Sequence, residues 1–280
     1  MVAPTQMRAV VRWHDGIARD AEREVAEETA IALTYGGSTQ AVMMATPRDL
    51  EDFAIGFSLT EGIVTAASEI EHIAVVETEL GLDIQMRLAS PRGTAFVSRR
   101  RAMAGPVGCG LCGIESLAEA MRPLPALAPD GRRVKADVIA NALRRLPKAQ
   151  VLNRATRAVH GAAFATPTGV LTLREDVGRH NALDKLVGAL ARSGIDPATG
   201  FIMVTSRLSV EMVQKAAIAG APVIVAVSAP TALAIRSAEV AGMTLVAVAR
   251  EDGFEVVTHP GRIDFTRLDA RAEDGQFDVA

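Results

Sequence analysis

Residues 201–248 read FIMVTSRLSVEMVQKAAIAGAPVIVAVSAPTALAIRSAEVAGMTLVAV, and this stretch decides the fold. Three short apolar runs, at 201–204, 223–227 and 245–248, have the length and Val/Ile content of strands buried on both faces. Two segments between them, 210–219 and 232–241, read as helices. Strand, helix, strand, helix, strand implies a parallel sheet with right-handed crossovers. In open sheets of this kind ligands bind outside the carboxyl ends of the strands. Those ends carry Thr205, Ser206 and Arg207, then Ser228, Ala229, Pro230 and Thr231, then Arg250, Glu251, Asp252 and Gly253. The first two also open helices, whose N-termini favour phosphate. The set suits a nucleotide-like ligand. The plainer reading makes the Ser and Thr ordinary N-caps and Arg207 a solvated charge. No Gly-x-Gly-x-x-Gly and no phosphate-loop Lys accompanies it, so neither a standard NAD fold nor a P-loop NTPase is indicated.

Upstream, a helix is expected over 138–146, a strand over 170–173, and a helix over 180–192. The last has Leu183, Leu186, Val187 and Leu190 on one stripe and Gly194 as its stop. Between that strand and helix lies Arg174-Glu175-Asp176-Val177-Gly178-Arg179-His180-Asn181. So many polar residues at a strand end either bind something or form a capped helix start, with Asp176 as cap and Arg179 and Asn181 facing water. His160, on an apolar segment, reads as a core histidine.

The first half is mixed. Runs at 31–35 and 41–45 flank Gly36-Gly37 and read as a strand pair. Thr46-Pro47-Arg48-Asp49 reads as a helix start, followed by Leu50, Phe53, Ala54 and Phe57 at helical spacing and a stop at Gly62. More strands are expected at 73–76, 84–88 and 95–97. A Gly-rich segment, 105–113, then holds Cys109-Gly110-Leu111-Cys112, and a Pro-rich stretch at 123–129 reads as a linker. The domains expected are 1–125, a smaller mixed α+β unit ending in the Gly-rich loop, 126–270, a larger α/β unit, and 271–280, a polar tail.

These are the only two cysteines in 280 residues, too few for a secreted disulfide scaffold. A close thiol pair in a reducing compartment serves redox, sulfur or metal chemistry. The thiolate is the reactive form, and the bracketing glycines leave room for a large partner. From spacing alone three readings stay open: half of a zinc site completed by His160 or His180, a thioredoxin-like dithiol, or a sulfur carrier. The chain is 49% hydrophobic and 22% charged with a net charge of −3, so no global positive field draws it to nucleic acid or anionic lipid. It lacks an apolar run of membrane length and a signal-peptide pattern at its start, and the default expectation is a cytoplasmic location with no membrane partner.

Taken together, the motifs resemble the FdhD family of formate dehydrogenase accessory sulfurtransferases. The likeness is carried by residues 28–35, by 46–57, by Glu61-Gly62-Ile63, by Cys109-Gly110-Leu111-Cys112-Gly113 and by Glu175-Asp176-Val177-Gly178-Arg179-His180-Asn181-Ala182-Leu183-Asp184-Lys185. Ser206-Arg207, Glu211-Met212-Val213-Gln214-Lys215 and Thr258-His259-Pro260 complete it. The resemblance implies a cytidine-deaminase-like fold for the larger domain and a homodimer. It implies transfer of persulfide sulfur from a cysteine desulfurase to the molybdenum cofactor, as bis(molybdopterin guanine dinucleotide), needed by formate dehydrogenase. Cys109 would carry the persulfide with Cys112 as partner thiol, and the cofactor segment would be Val248, Ala249, Arg250, Glu251, Asp252 and Gly253. Ser206, Arg207, Ser228, Thr231 and His180 join it as cofactor-binding candidates, and no resident metal is expected.

Two alternatives are a zinc deaminase and a chaperone that holds cofactor without moving sulfur. The deaminase reading needs His-x-Glu followed by Pro-Cys-x-x-Cys. Here His160 precedes Gly161-Ala162 and the Cys pair comes before it.

Overall fold

The computed structural model describes residues 2–89, 121–128, 131–169 and 171–266. Cys109 and Cys112, the strand expected at 95–97 and the tail at 271–280 lie outside the described residues.

The chain opens with a two-stranded ribbon, β1 (Thr5–His14) and β2 (Ile17–Ala26), turned by Asp15 and Gly16 at positive φ. It continues as β3 (Thr29–Tyr35) and β4 (Ser38–Ala45), joined by Gly36 and Gly37 at φ 56° and 79°. Positive φ at both central residues matches the twist of a tight hairpin, and glycine adopts it without strain. Helix α1 (Leu50–Thr60) then leads to β5 (Ile70–Thr78) and β6 (Gly81–Leu88). These strands form a four-stranded sheet in the order β4-β3-β6-β5, with β3 and β6 parallel. One face buries Ile31, Leu33, Tyr35, Ile84 and Met86 against Phe53 and Phe57 of α1.

The second half runs β7 (Val134–Lys135), α2 (Ala136–Ala149), α3 (Val151–Thr156), β8 (His160–Ala165), β9 (Leu171–Asp176), α4 (Arg179–Arg192) and β10 (Phe201–Val204). Then come α5 (Val210–Ile218), β11 (Val223–Ala226), α6 (Ala232–Ala241), β12 (Thr244–Arg250), β13 (Gly253–Val256) and β14 (Ile263–Asp264). Six of the strands make one sheet in the order β13-β12-β11-β10-β8-β9. The three strands expected to be parallel are so, while β8, β9 and β13 add antiparallel. Strand side chains alternate between faces. Ala162, Phe164, Ile202, Val204, Ile224, Ala226, Leu245 and Ala247 pack with α4, α5 and α6. Ala163, Ala165, Phe201, Met203, Val223, Val225 and Val246 pack with Ile139, Leu143 and Leu146 of α2. Among the described residues no helix is long and apolar enough to cross a membrane.

Helix α1 lies directly against α4. A Cβ on Gly56 would stand 1.7 Å from the backbone oxygen of Asp184, and one on Gly188 would stand 1.9 Å from that of Asp52. Each helix thus presses a carbonyl onto the other's glycine. The seam is flanked by Asp52, whose carboxylate takes the Arg174 guanidinium at 2.6 Å and the Arg192 guanidinium at 2.8 Å. One expectation is corrected here: α1 starts at Leu50 with Asp49 in the left-handed region, not at Thr46-Pro47. The Thr46 hydroxyl accepts instead from the backbone N–H of Val177.

Candidate functional site

Asp176 ends β9, is fully buried, and gathers four donors. Oδ2 accepts from Lys185 Nζ at 2.6 Å and from the Thr46 backbone N–H at 3.0 Å. Oδ1 accepts from the Gly178 N–H at 2.7 Å and from Asn181 Nδ2 at 3.0 Å. Lys185, equally buried, also donates to the Thr46 carbonyl at 2.8 Å and stands over the Phe53 ring, 5.7 Å from its centroid. Burial pushes the Lys185 amine down from its ordinary pKa, with Asp176 opposing. The reading of Asp176 as a helix cap and Asn181 as water-facing is therefore overturned. Gly178 is the N-cap residue, Asn181 is buried, and its amide also donates to the Met44 carbonyl. An unpaired buried carboxylate is so costly that the chain surrounds it with donors.

This anchor fixes the first turn of α4, which presents Arg179 and His180. Next to it lies the first turn of α5 with Ser209 and Glu211, and beyond it the start of β8 with His160. Arg179 Nε, His180 Nε2, Ser209 Oγ and Glu211 Oε2 are all buried without a hydrogen-bond partner in good geometry, although Ser209 and Glu211 lie close to each other. Four orphaned polar atoms in neighbouring turns make a set of donors and an acceptor suited to a polar ligand. Burial, Arg179 and Lys215 together push His180 down to about 4, so its ring is neutral near pH 7. Burial and Arg179 also lower His160. Burial raises Glu211, but the nearby Ser209 hydroxyl, a backbone N–H, His180 and Arg179 outweigh it and hold the carboxyl below its ordinary range.

The floor of the site is a second buried ionic group. Lys215 Nζ donates to Glu61 at 2.7 Å, to Asp184 at 3.0 Å and to Thr60 Oγ1 at 3.0 Å, while Thr60 donates to Asp184 at 2.7 Å. Burial alone lowers Lys215, but Asp184 and Glu61 more than restore it, so the ammonium keeps its proton. Phe57 of α1 underlies it, 5.8 Å from Nζ to ring centroid.

The other expected residues line up along the same sheet edge. Ser206 is buried, with Oγ donating to the Arg207 carbonyl at 3.1 Å, and Arg207 is exposed. Thr205 meets the start of β8 through Gly161, whose N–H donates to Thr205 Oγ1 at 2.9 Å. Ser206 and Arg207 do not themselves open a helix, because α5 begins at Val210 with Ser209 at the N-cap position. Thr231 does cap α6, its hydroxyl accepting from Ala234 N–H at 3.2 Å, while the Ser228 carbonyl accepts from Val248 N–H at 3.2 Å. Val248, Ala249 and Arg250 end β12, Glu251 and Asp252 form the turn, and Gly253 opens β13. A register shift separates Ala247 from Arg250, and Val248 within it sits at φ 49°, 39% exposed. A left-handed conformation is unusual for a β-branched residue, costs about 1–2 kcal/mol, and collects at ligand clamps and switch regions. Arg250 reaches back to donate to the Val227 carbonyl.

Counting strand spacings from β8 across β10 and β11 to β12, the His160 end and the Val248 end lie roughly 14 Å apart. Ser206 and Arg207 follow β10 at this edge, Val248 to Gly253 follow at the end of β12, and Ser228 lies between them after β11. Ser209 and Glu211 were not singled out in the sequence, since a Ser followed two residues later by Glu reads as an ordinary helix start. Among the described residues no three His, Cys, Asp or Glu side chains are grouped as a metal site would need.

Residues 26–264 match the FdhD/NarQ family. The chain is 56% identical over 250 residues to the sulfur carrier protein FdhD of Agrobacterium fabrum, covering 89% of this chain and 92% of that one. It is 51% identical over 256 residues to the protein of the same name from Cupriavidus necator, covering 91% and 88%. A crystal structure described as a formate dehydrogenase accessory protein, from Desulfotalea psychrophila, superposes with a TM-score of 0.75 at 26% identity, covering 93% of this chain and 100% of that one.

Proposed function

Because the chain belongs to the FdhD/NarQ family, we propose that it is a sulfur carrier for formate dehydrogenase and acts as a sulfurtransferase. Its partners on this reading are a cysteine desulfurase and formate dehydrogenase, and it works as a homodimer in the cytoplasm. The Cys109 thiolate attacks the outer sulfur of the desulfurase persulfide. A Cys109–S–SH persulfide forms and the donor leaves as a thiolate. The substrate on the receiving side is the molybdenum cofactor in its bis(molybdopterin guanine dinucleotide) form.

Sulfane sulfur is formally neutral, whereas a metal-bound sulfido ligand carries two more electrons. Cys112, three residues on, supplies them: its thiolate attacks Cys109 Sγ, a Cys109–Cys112 disulfide forms, and sulfide leaves to the metal. A cellular dithiol then reduces the disulfide and resets the pair.

The observation that carries the cargo side is the sheet edge itself. Orphaned buried donors and an acceptor stand at one end, and a strained, exposed β-branched residue stands at the other. A dinucleotide cofactor is long enough to engage both. Arg179, His180 and Ser209 supply donors and Glu211 an acceptor, with the turn from Val248 to Gly253 at the far subsite.

The test is intact mass after incubation with a cysteine desulfurase and cysteine. Wild type gains the mass of one sulfur and Cys109→Ala gains none. Cells bearing Cys109→Ala make formate dehydrogenase protein without activity. A wild type that binds the cofactor but never gains sulfur mass is a holding chaperone, and the proposal fails.

A further inference from the structure

The ribbon of β1 and β2 precedes the family match, which begins at residue 26, and contributes nothing to the edge described above. Its ladder is regular over ten pairs, from Thr5 opposite Ala26 to His14 opposite Ile17. Directly opposed residues of an antiparallel pair share a face. One face therefore carries Arg8 opposite Arg23 and Arg12 opposite Arg19, with Val10 opposite Ala21 between them. The other face carries Met7 opposite Glu24, Ala9 opposite Glu22, Val11 opposite Asp20 and Trp13 opposite Ala18.

All four arginines are exposed, and none pairs with a described carboxylate. Arg23 donates to the Thr156 carbonyl of α3 at 3.1 Å, next to the exposed Arg157, and Arg8 donates to Gln6 on its own strand. Like charges set directly opposite each other destabilise a ladder, and a lone two-stranded ribbon is marginal to begin with. Among the described residues no carboxylate offsets two such pairs in succession. The half-buried Val10 and Ala21 between them give the face a small apolar centre with a cationic rim, the layout of a protein interface in which Arg is enriched.

We propose that this arginine face is a docking surface for an acidic patch on a protein partner, Val10 and Ala21 forming its apolar centre. Charge complementarity selects the partner's chemistry, and the back of the ribbon selects its class. A ribbon seated in a nucleic-acid groove has phosphates along both sides. Asp20, Glu22 and Glu24 on the back face would then meet them. A ribbon lying on an anionic membrane would put its aromatic and its arginines on one face. Here Trp13 lies on the opposite one. An acidic protein surface meets neither obstacle. Arg8 and Arg12 stand roughly 14 Å apart along β1, so the complementary carboxylates should be spread over a similar span.

The sulfur-carrier reading enters only in choosing which proteins to titrate. Full-length wild type and Arg12→Glu/Arg19→Glu are titrated at low and high salt with the same organism's cysteine desulfurase, with its apo formate dehydrogenase, and with an RNA duplex. The double variant keeps two like charges opposed, so the ribbon's folding cost is held constant while one of the face's two cationic pairs becomes anionic. Should it fail to fold, Arg12→Gln/Arg19→Gln replaces it. At least one of the two proteins is expected to bind wild type at low salt. That binding should weaken about tenfold or more in the variant and at high salt. Equal affinity for wild type and variant, no binding of either protein to wild type, or tighter binding of RNA than of both proteins overturns the proposal. Sulfur loading from a small-molecule persulfide is measured in parallel and should be unchanged in the variant. Its absence in wild type would sink the carrier reading and leave the docking result to be judged on the titrations.

Discussion

Replacing Asp176 by Asn removes a charge and almost no volume, so its cost isolates the buried ionic anchor. The amide oxygen can still accept from Gly178 N–H and Asn181 Nδ2, but the amide nitrogen now faces Thr46 N–H and Lys185 Nζ, both donors. Lys185 is left with the Thr46 carbonyl as its hydrogen-bond acceptor. Taking one partner from a buried pair costs about 3–5 kcal/mol. Burial already pushes the Lys185 amine down, so it can relieve part of that cost by losing its proton. Lys185→Met is milder, about 1–3 kcal/mol, because Asp176 retains three donors. In Asp176→Asn/Lys185→Met no buried charge remains unpaired, and the loss should fall short of the sum of the singles by about 2 kcal/mol or more. Urea unfolding followed by circular dichroism, with m-values compared, gives all three numbers. A loss below about 1 kcal/mol in Asp176→Asn, or additivity within about 0.5 kcal/mol, would refute the anchor.

Two further predictions concern the site and the seam. His180 has a folded pKa of about 4. In the unfolded chain it is near 6.5, so between those values the unfolded chain binds more protons. Its contribution is complete above about pH 6.5 and is lost as pH falls towards 4, about 2–3 kcal/mol in all. The difference in unfolding free energy between wild type and His180→Gln should therefore shift by that amount between pH 7 and pH 4, and a constant difference rejects the assignment. Gly56→Ala drives a methyl group to within 1.7 Å of a backbone oxygen and should cost about 3 kcal/mol. Gly62→Ala meets open space and only an unfavourable φ of 68°, so it should cost about 1 kcal/mol. Equal thermal stabilities for the two glycine variants would contradict the close approach.

The parallel centre of the large sheet was legible because its strands are covered on both faces and read as unbroken apolar runs at 201–204, 223–227 and 245–248. The antiparallel additions were not. Strand β8 is His160-Gly161-Ala162-Ala163-Phe164-Ala165, poor in β-branched residues, and its pairing with β10 and β9 comes from tertiary context that local preference does not report. The ribbon was invisible because charged residues occupy both of its faces, so no apolar alternation marks a core side. Thr46-Pro47 carries a sound capping signal, overridden because Thr46 is held by Asp176 and Val177, some 130 residues away in sequence. The block from Arg174 to Asn181 stood out by its polarity. Its division into a buried anchor and two residues with unpartnered buried nitrogens depends on Thr46 and Met44, which no local pattern connects to it.

The glycine contacts between α1 and α4 also constrain how the molecule can move. With carbonyl oxygens seated where side chains would otherwise stand, sliding either helix along the other would bring a same-face neighbour, Phe53 or Thr60 on one side and Lys185 or Arg192 on the other, onto main chain. The small sheet and the large one therefore behave as a single rigid plate along this line.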